Sequence, residues 1–121
     1  MYTICKDFLF AAAHFVRGHT GGCENLHGHN YRVRVFVASE RLDELGMVMD
    51  FADLKRLMEV VLGKFDHQVI NDIPPFDVRN TTAELFASFV HAELEPQLPE
   101  GVQLERVEVW ENDTSCATYR K

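Results

Sequence analysis

Two histidines one residue apart, in Cys23-Glu24-Asn25-Leu26-His27-Gly28-His29-Asn30-Tyr31, constrain this chain more than any other stretch. Side chains on an extended strand alternate between faces, so His27 and His29 share one face. The odd-numbered series runs on through Tyr31, Val33, Val35 and Val37, which makes that face the one turned toward a core. Two imidazoles on a buried face are costly unless something coordinates or hydrogen-bonds them. A divalent metal of borderline softness meets that need, and imidazole suits zinc. Two ligands do not hold such an ion firmly. His14, which ends the apolar run Phe8-Leu9-Phe10-Ala11-Ala12-Ala13, is the expected third. Cys23 stands four residues before His27, either as a fourth ligand or as a nucleophile or base held beside the ion.

A chain of 121 residues makes one domain, residues 1–121, and its 46% hydrophobic content supplies a real core. So short a chain does not easily enclose a deep pocket alone, which raises the prospect of a site shared between subunits. Nineteen acidic against twelve basic residues give a formal net charge of -7, which argues against a general nucleic-acid-binding surface. No apolar run approaches the roughly 18–20 residues of a membrane span. Met1–Asp7 lacks the charged lead-in and apolar block of a secretory leader. Cys5, Cys23 and Cys116 have no zinc-finger or CxxC spacing. The expectation is a cytoplasmic protein with no nucleic-acid or membrane partner, in which Cys5 and Cys116 are ordinary buried thiols.

In order, residues 2–16 read as a first strand and 17–25 as a glycine-bearing loop. Tyr31–Ser39 alternates into a second strand, antiparallel to the first. Asp50 opens a helix as its cap, and Phe51, Leu54, Leu57, Met58, Val61, Leu62 and Phe65 form its apolar stripe. Residues 66–80, with Pro74 and Pro75, read as a loop. Thr81-x-x-Glu84 matches a capping box for a second helix, which Pro96 and Pro99 end. Val102–Glu111 and Ser115–Tyr119 complete the strands. The order β-β-α-α-β-β predicts an α+β domain: a four-stranded antiparallel sheet with both helices on one face. Its two unpaired edges favour closure of several sheets edge to edge in an oligomeric ring.

Several stretches together resemble the 6-pyruvoyl-tetrahydropterin synthase family. They are Phe10-Ala11-Ala12-Ala13-His14, Cys23-x-x-x-His27-Gly28-His29-Asn30-Tyr31 and Met49-Asp50-Phe51-Ala52-Asp53-Leu54-Lys55, with Asp66-His67, Asn71, Thr81-Thr82-Ala83-Glu84 and Glu111. The resemblance implies a tunnelling fold in which trimers close a barrel and two trimers stack as a homohexamer. It implies zinc held by His14, His27 and His29. The short Cys-x-x-x-His-Gly-His spacing is similar to the bacterial branch that makes 6-carboxy-5,6,7,8-tetrahydropterin for queuosine and other deazapurines. That branch implies 7,8-dihydroneopterin triphosphate as substrate, with acetaldehyde and triphosphate released.

The resemblance also implies roles for particular side chains. Cys23 is the expected base, and Asp66 orients His67 in a second proton relay. Glu111 shares the phase of Val107 and Val109, and its carboxylate suits the paired donors of a pterin ring, the 2-amino group and N3–H. Thr81 and Thr82 either add bonds to that ring or cap the helix. Arg17, His19, Arg32 and Arg34 are near the motif and fit a polyanion, although a solvated strand face explains Arg32 and Arg34 equally well.

Overall fold

A computed structural model describes residues 1–121. Its strands are β1 (Tyr2–His14), β2 (His27–Ser39), β3 (Gln68–Val69), β4 (Gln103–Asn112) and β5 (Ser115–Tyr119); its helices are α1 (Phe51–Leu62) and α2 (Ala83–Leu94). The sheet has the order β3-β1-β2-β4-β5. Four strands pair antiparallel as the alternation predicts. The fifth, β3, is an addition inside the stretch read as loop, and it pairs parallel with Ala12 and Ala13 of β1. Two residues are too few to carry a period-two signal, so the sequence offers no sign of it.

β1 and β2 stay in register over thirteen pairs, with Phe10 opposite Tyr31 and His14 opposite His27. β1 stops at His14 and β2 begins at His27, so the histidine pair belongs to the strand itself. Phe10, Ala12, Tyr31, Val33, Val35, Val37, Val107 and Val109 are all buried, on the sheet face that the helices cover. The Phe10 and Tyr31 rings stack at 5.1 Å, and Phe86 of α2 packs on both. Phe76, fully buried, reaches the same cluster from the connection before α2.

The helix caps follow the sequence in one case and shift in the other. Asp50 caps α1, its carboxylate accepting from the Ala52 N–H at 2.7 Å. Phe51 is half exposed, so the buried stripe of α1 narrows to Leu54, Met58, Val61 and Leu62. The cap of α2 is Thr82, whose Oγ1 accepts from Leu85 N at 3.2 Å. The expected box from Thr81 to Glu84 does not form, because Thr81 is taken up by the end of β1, as described below.

The other sheet face is charged. Arg34 donates twice to Asp7, at 2.7 and 3.0 Å, and holds its carboxyl below the usual range. Cys5 and Cys116 are exposed, not buried as expected. Cys5 has the odd parity of Asp7 on a strand whose buried residues, Phe10, Ala12 and His14, are all even. Cys116 alternates with Ala117, the residue opposite buried Val109. On its outer side β1 is paired with β3 only at Ala12 and Ala13, and β5 is the other edge of the sheet.

Candidate active site

The three expected metal ligands meet where β1 ends and β2 begins. The rings of His14, His27 and His29 lie 4.6, 4.8 and 5.0 Å apart, centre to centre. One nitrogen from each falls within 4.8 Å of the others, a span that one ion bridges after small side-chain movements. His14 is buried, and its Nδ1 lies 3.0 Å from the Thr81 carbonyl oxygen. His27 Nδ1 lies 2.7 Å from the Asn25 carbonyl oxygen. A carbonyl only accepts, so both rings carry the proton on Nδ1 and leave the Nε2 lone pair free. That is the tautomer a metal-ligating histidine needs, held by a backbone partner.

The Nε2 atoms of His14 and His29 are buried without a hydrogen-bond partner. Such atoms cost on the order of 1–3 kcal/mol each, and a metal ion would satisfy both. Burial pushes the His14 pKa down to about 4 against the opposing Thr81 bond, with His27 and His29 adding to the depression. Burial also lowers His29, opposed by Glu111. Both are therefore kept neutral, the form that ligates. The residues fit a metal ion.

The depressed His14 has a consequence for the metal-free protein. Above pH 6.5 His14 is neutral in the folded and unfolded chain alike, and its contribution to stability is complete. As pH falls from 6.5 toward about 4, the unfolded chain takes up a proton that the folded chain refuses. Stability should decline over that window by up to about 3 kcal/mol. Urea unfolding of chelator-treated protein at neutral and acid pH measures it, and His14→Gln should lack this component.

Thr81 explains both the helix cap and the histidine. Its hydroxyl donates to the Phe15 carbonyl at 2.9 Å while its own carbonyl receives the His14 proton. Two asparagines extend the arrangement. The Asn71 amide bonds both N–H and C=O of Phe15, and the Asn80 amide does the same for Arg17. Side chains thus replace a neighbouring strand where β1 leaves the sheet. The sequence carried no signal for this, since an asparagine in a loop usually serves its own turn.

Glu111 lies over the cluster, its oxygens 3.9 Å from His14 Nε2 and 3.7 Å from His29 Nε2. The ladder between β4 and β5 is irregular between Trp110 and Asn112, and Glu111 sits at that irregularity. With His19, Cys23, Thr82 and Glu84 it lines a cleft of about 410 Å³. Cys23 is exposed on a short 3-10 turn and is not among the gathered ligand atoms. The cluster is therefore three histidines, with Cys23 in the adjoining cleft. Of the two threonines, Thr82 lines this cleft.

Asp66 and His67 are elsewhere. Asp66 accepts from the Ala11 N–H at 3.1 Å and lies 2.9 Å from His67 Nδ1. His67 takes a left-handed φ of 58° and donates its N–H to the Ala11 carbonyl. A non-glycine residue in that conformation is held by its surroundings. The pair lines a separate cavity of about 430 Å³ with Leu9, Asn30, Arg32 and Trp110, residues alternate in phase to the buried ones. Within one chain, Cys23 and His67 line different cavities.

Comparison with known proteins agrees with this geometry. A family profile described as 6-pyruvoyl tetrahydropterin synthase matches residues 3–121. A 6-carboxy-5,6,7,8-tetrahydropterin synthase of Synechocystis is 43% identical over 98% of this chain and 93% of its own length. Human 6-pyruvoyl tetrahydrobiopterin synthase is 39% identical over 83% of this chain and 71% of its own. The solved 6-pyruvoyl tetrahydropterin synthase of Caenorhabditis elegans superposes with a TM-score of 0.88 at 29% identity, covering 99% of this chain and 95% of that one.

Proposed function

Because the chain belongs to the 6-pyruvoyl tetrahydropterin synthase family, we propose that it is a zinc-dependent 6-carboxy-5,6,7,8-tetrahydropterin synthase. It would convert 7,8-dihydroneopterin triphosphate and water to 6-carboxytetrahydropterin, acetaldehyde and triphosphate, a step of queuosine and related deazapurine synthesis in the cytoplasm. The observation that carries the reading is the cluster of three histidines opening beside a free thiol. The Synechocystis relative and the short Cys23-x-x-x-His27 spacing favour the carboxy product.

The roles follow from the chemistry of the groups. Glu111 accepts the pterin 2-amino and N3 protons as a paired acceptor, and Thr82 borders the same cleft. Cys23 removes a proton from a side-chain carbon of the substrate. It does so as thiolate, a form that a neighbouring cation favours. Asp66 orients His67, which moves the second proton. Bound zinc would supply Lewis acidity at the side-chain hydroxyls, stabilising the negative charge left by deprotonation.

His67 completes this set only from a second copy. The open edges of β1 and β5 suit edge-to-edge pairing, and a head-to-tail contact of that kind closes a ring. We infer a homotrimer, or two stacked trimers, with active sites between subunits.

A product assay by mass spectrometry tests the reaction, using zinc-loaded protein and 7,8-dihydroneopterin triphosphate beside Cys23→Ala. The expected products are carboxytetrahydropterin and acetaldehyde, with turnover about 10²- to 10⁴-fold lower in the variant. The human relative makes a pyruvoyl product the competing outcome; finding it would keep the family and overturn the branch. Tight zinc and pterin binding without turnover would leave a binding module.

A further inference from the structure

The four basic residues near the histidine motif separate cleanly in three dimensions. Arg17 donates its guanidinium to the carbonyls of Phe76, Asp77 and Arg79, so it is a clamp on the chain entering α2. Arg32 and Arg34 both pair with Asp7 on the charged sheet face. Only His19 lines the cleft shared by Cys23, Thr82 and Glu111. It is the one nitrogen-bearing side chain there, facing two carboxylates, Glu84 and Glu111. An anionic group entering that cleft needs a donor, and its walls otherwise offer hydroxyls, thiols and backbone.

The hydrogen bonding of His19 is the reverse of that at the metal ligands. Its Nδ1 accepts from the Gly21 N–H at 2.8 Å. An accepting Nδ1 places the neutral ring's proton on Nε2. His14 and His27 donate from Nδ1 and present a bare Nε2; His19 accepts at Nδ1 and presents Nε2–H. The connection from β1 to β2 and the strand ends it joins thus hold histidines preset for opposite tasks, ligation and donation. Gly21 makes the arrangement possible. A Cβ at that position would lie 2.8 Å from His19 Cε1 and 3.2 Å from Nδ1, but 4.0 Å from Nε2. The ring lies on Gly21 by its Cε1–Nδ1 edge and leaves Nε2 on the far side.

We propose that His19 is a substrate-binding residue that donates its Nε2–H to a phosphate oxygen on the substrate's side chain. This rests on the reading of the substrate as a phosphorylated pterin. The structure assigns Gly21 the accompanying role of seating the imidazole.

The test is equilibrium titration of zinc-loaded Cys23→Ala protein, which does not consume the ligand, with 7,8-dihydroneopterin triphosphate and with 7,8-dihydroneopterin. Adding His19→Ala should weaken the triphosphate about tenfold or more and leave the unphosphorylated pterin within about twofold. His19→Gln carries an amide N–H near the Nε2 position and should restore most of the affinity; His19→Asn, with its amide at the δ position, should not. Gly21→Ala should reproduce the loss alone and add nothing to His19→Ala. Zinc content should be the same throughout. Unchanged triphosphate affinity, equal losses for both ligands, loss of zinc, or equal rescue by Gln and Asn would overturn the proposal. A parent protein that binds neither pterin would overturn the substrate reading itself and this inference with it.

Discussion

His29→Ala should yield a folded protein that no longer retains zinc and has lost turnover by about a thousandfold or more, the scale of removing a Lewis acid worth several kcal/mol. His29 is the cleanest of the three ligands to remove. His14 also receives structural work, since its Nδ1 proton ties the end of β1 to Thr81 before α2, and His27 is tied to the Asn25 carbonyl of its own loop. The Nε2 of His29 is buried without a partner, with Glu111 3.7 Å away. Deleting the ring removes an unpaired buried nitrogen, so the metal-free variant should unfold at the same urea concentration as metal-free parent, or slightly higher. The stabilisation that added zinc confers on the parent should vanish, because a ligand stabilises only the state that binds it. Metal analysis, unfolding with and without zinc, and the product assay read the three effects separately. Full zinc occupancy in His29→Ala would remove the histidine cluster from the metal site.

Two inactive variants should rescue each other when mixed. Cys23→Ala removes a group from the cleft beside the metal ligands, and His67→Ala removes one from the cavity beside Trp110. Each variant alone should be at least about a hundredfold less active than the parent. If each site takes Cys23 from one copy and His67 from its neighbour, random mixing leaves about one interface in four with both groups intact. Subunits exchanged under mild denaturant and reassembled should then recover close to a quarter of parental activity, from a background near zero. Unmixed controls treated identically should recover nothing. A site built within one chain forbids such rescue, so its absence in confirmed mixed oligomers would overturn the shared site. The two cavities of the single chain make this the more informative of the two experiments.

The site was legible from the sequence wherever periodicity decides position. His27 and His29 share a face because a strand alternates, and Val33, Val35 and Val37 mark which face that is; all three valines are buried. His14 could be paired with them because an antiparallel connection through a short loop brings one strand's end to the next strand's start. Asp50 capped α1 as expected because nothing else competes for its carboxylate. Thr81 and Thr82 mark the opposite case. Both are sound cap residues, and the sequence cannot say which will serve. The choice went to Thr82 because the Thr81 hydroxyl and carbonyl are spent on Phe15 and His14, sixty-six and sixty-seven residues away.

The basic residues divide on the same principle. Arg17, His19, Arg32 and Arg34 all fitted a polyanion by their closeness to one motif, with a solvated strand face an equal account of Arg32 and Arg34. Tertiary contacts gave them three different fates: a clamp on backbone carbonyls, an ion-paired sheet face and a cleft wall. What the sequence determined alone was whatever depends on local repeat and residue chemistry: the order of the two helices and the four longer strands, the buried face and the three histidines that gather. What the tertiary structure decided was which polar groups are free, because a hydrogen-bonding group's role depends on the partner that has already claimed it. That partner usually comes from a distant part of the chain.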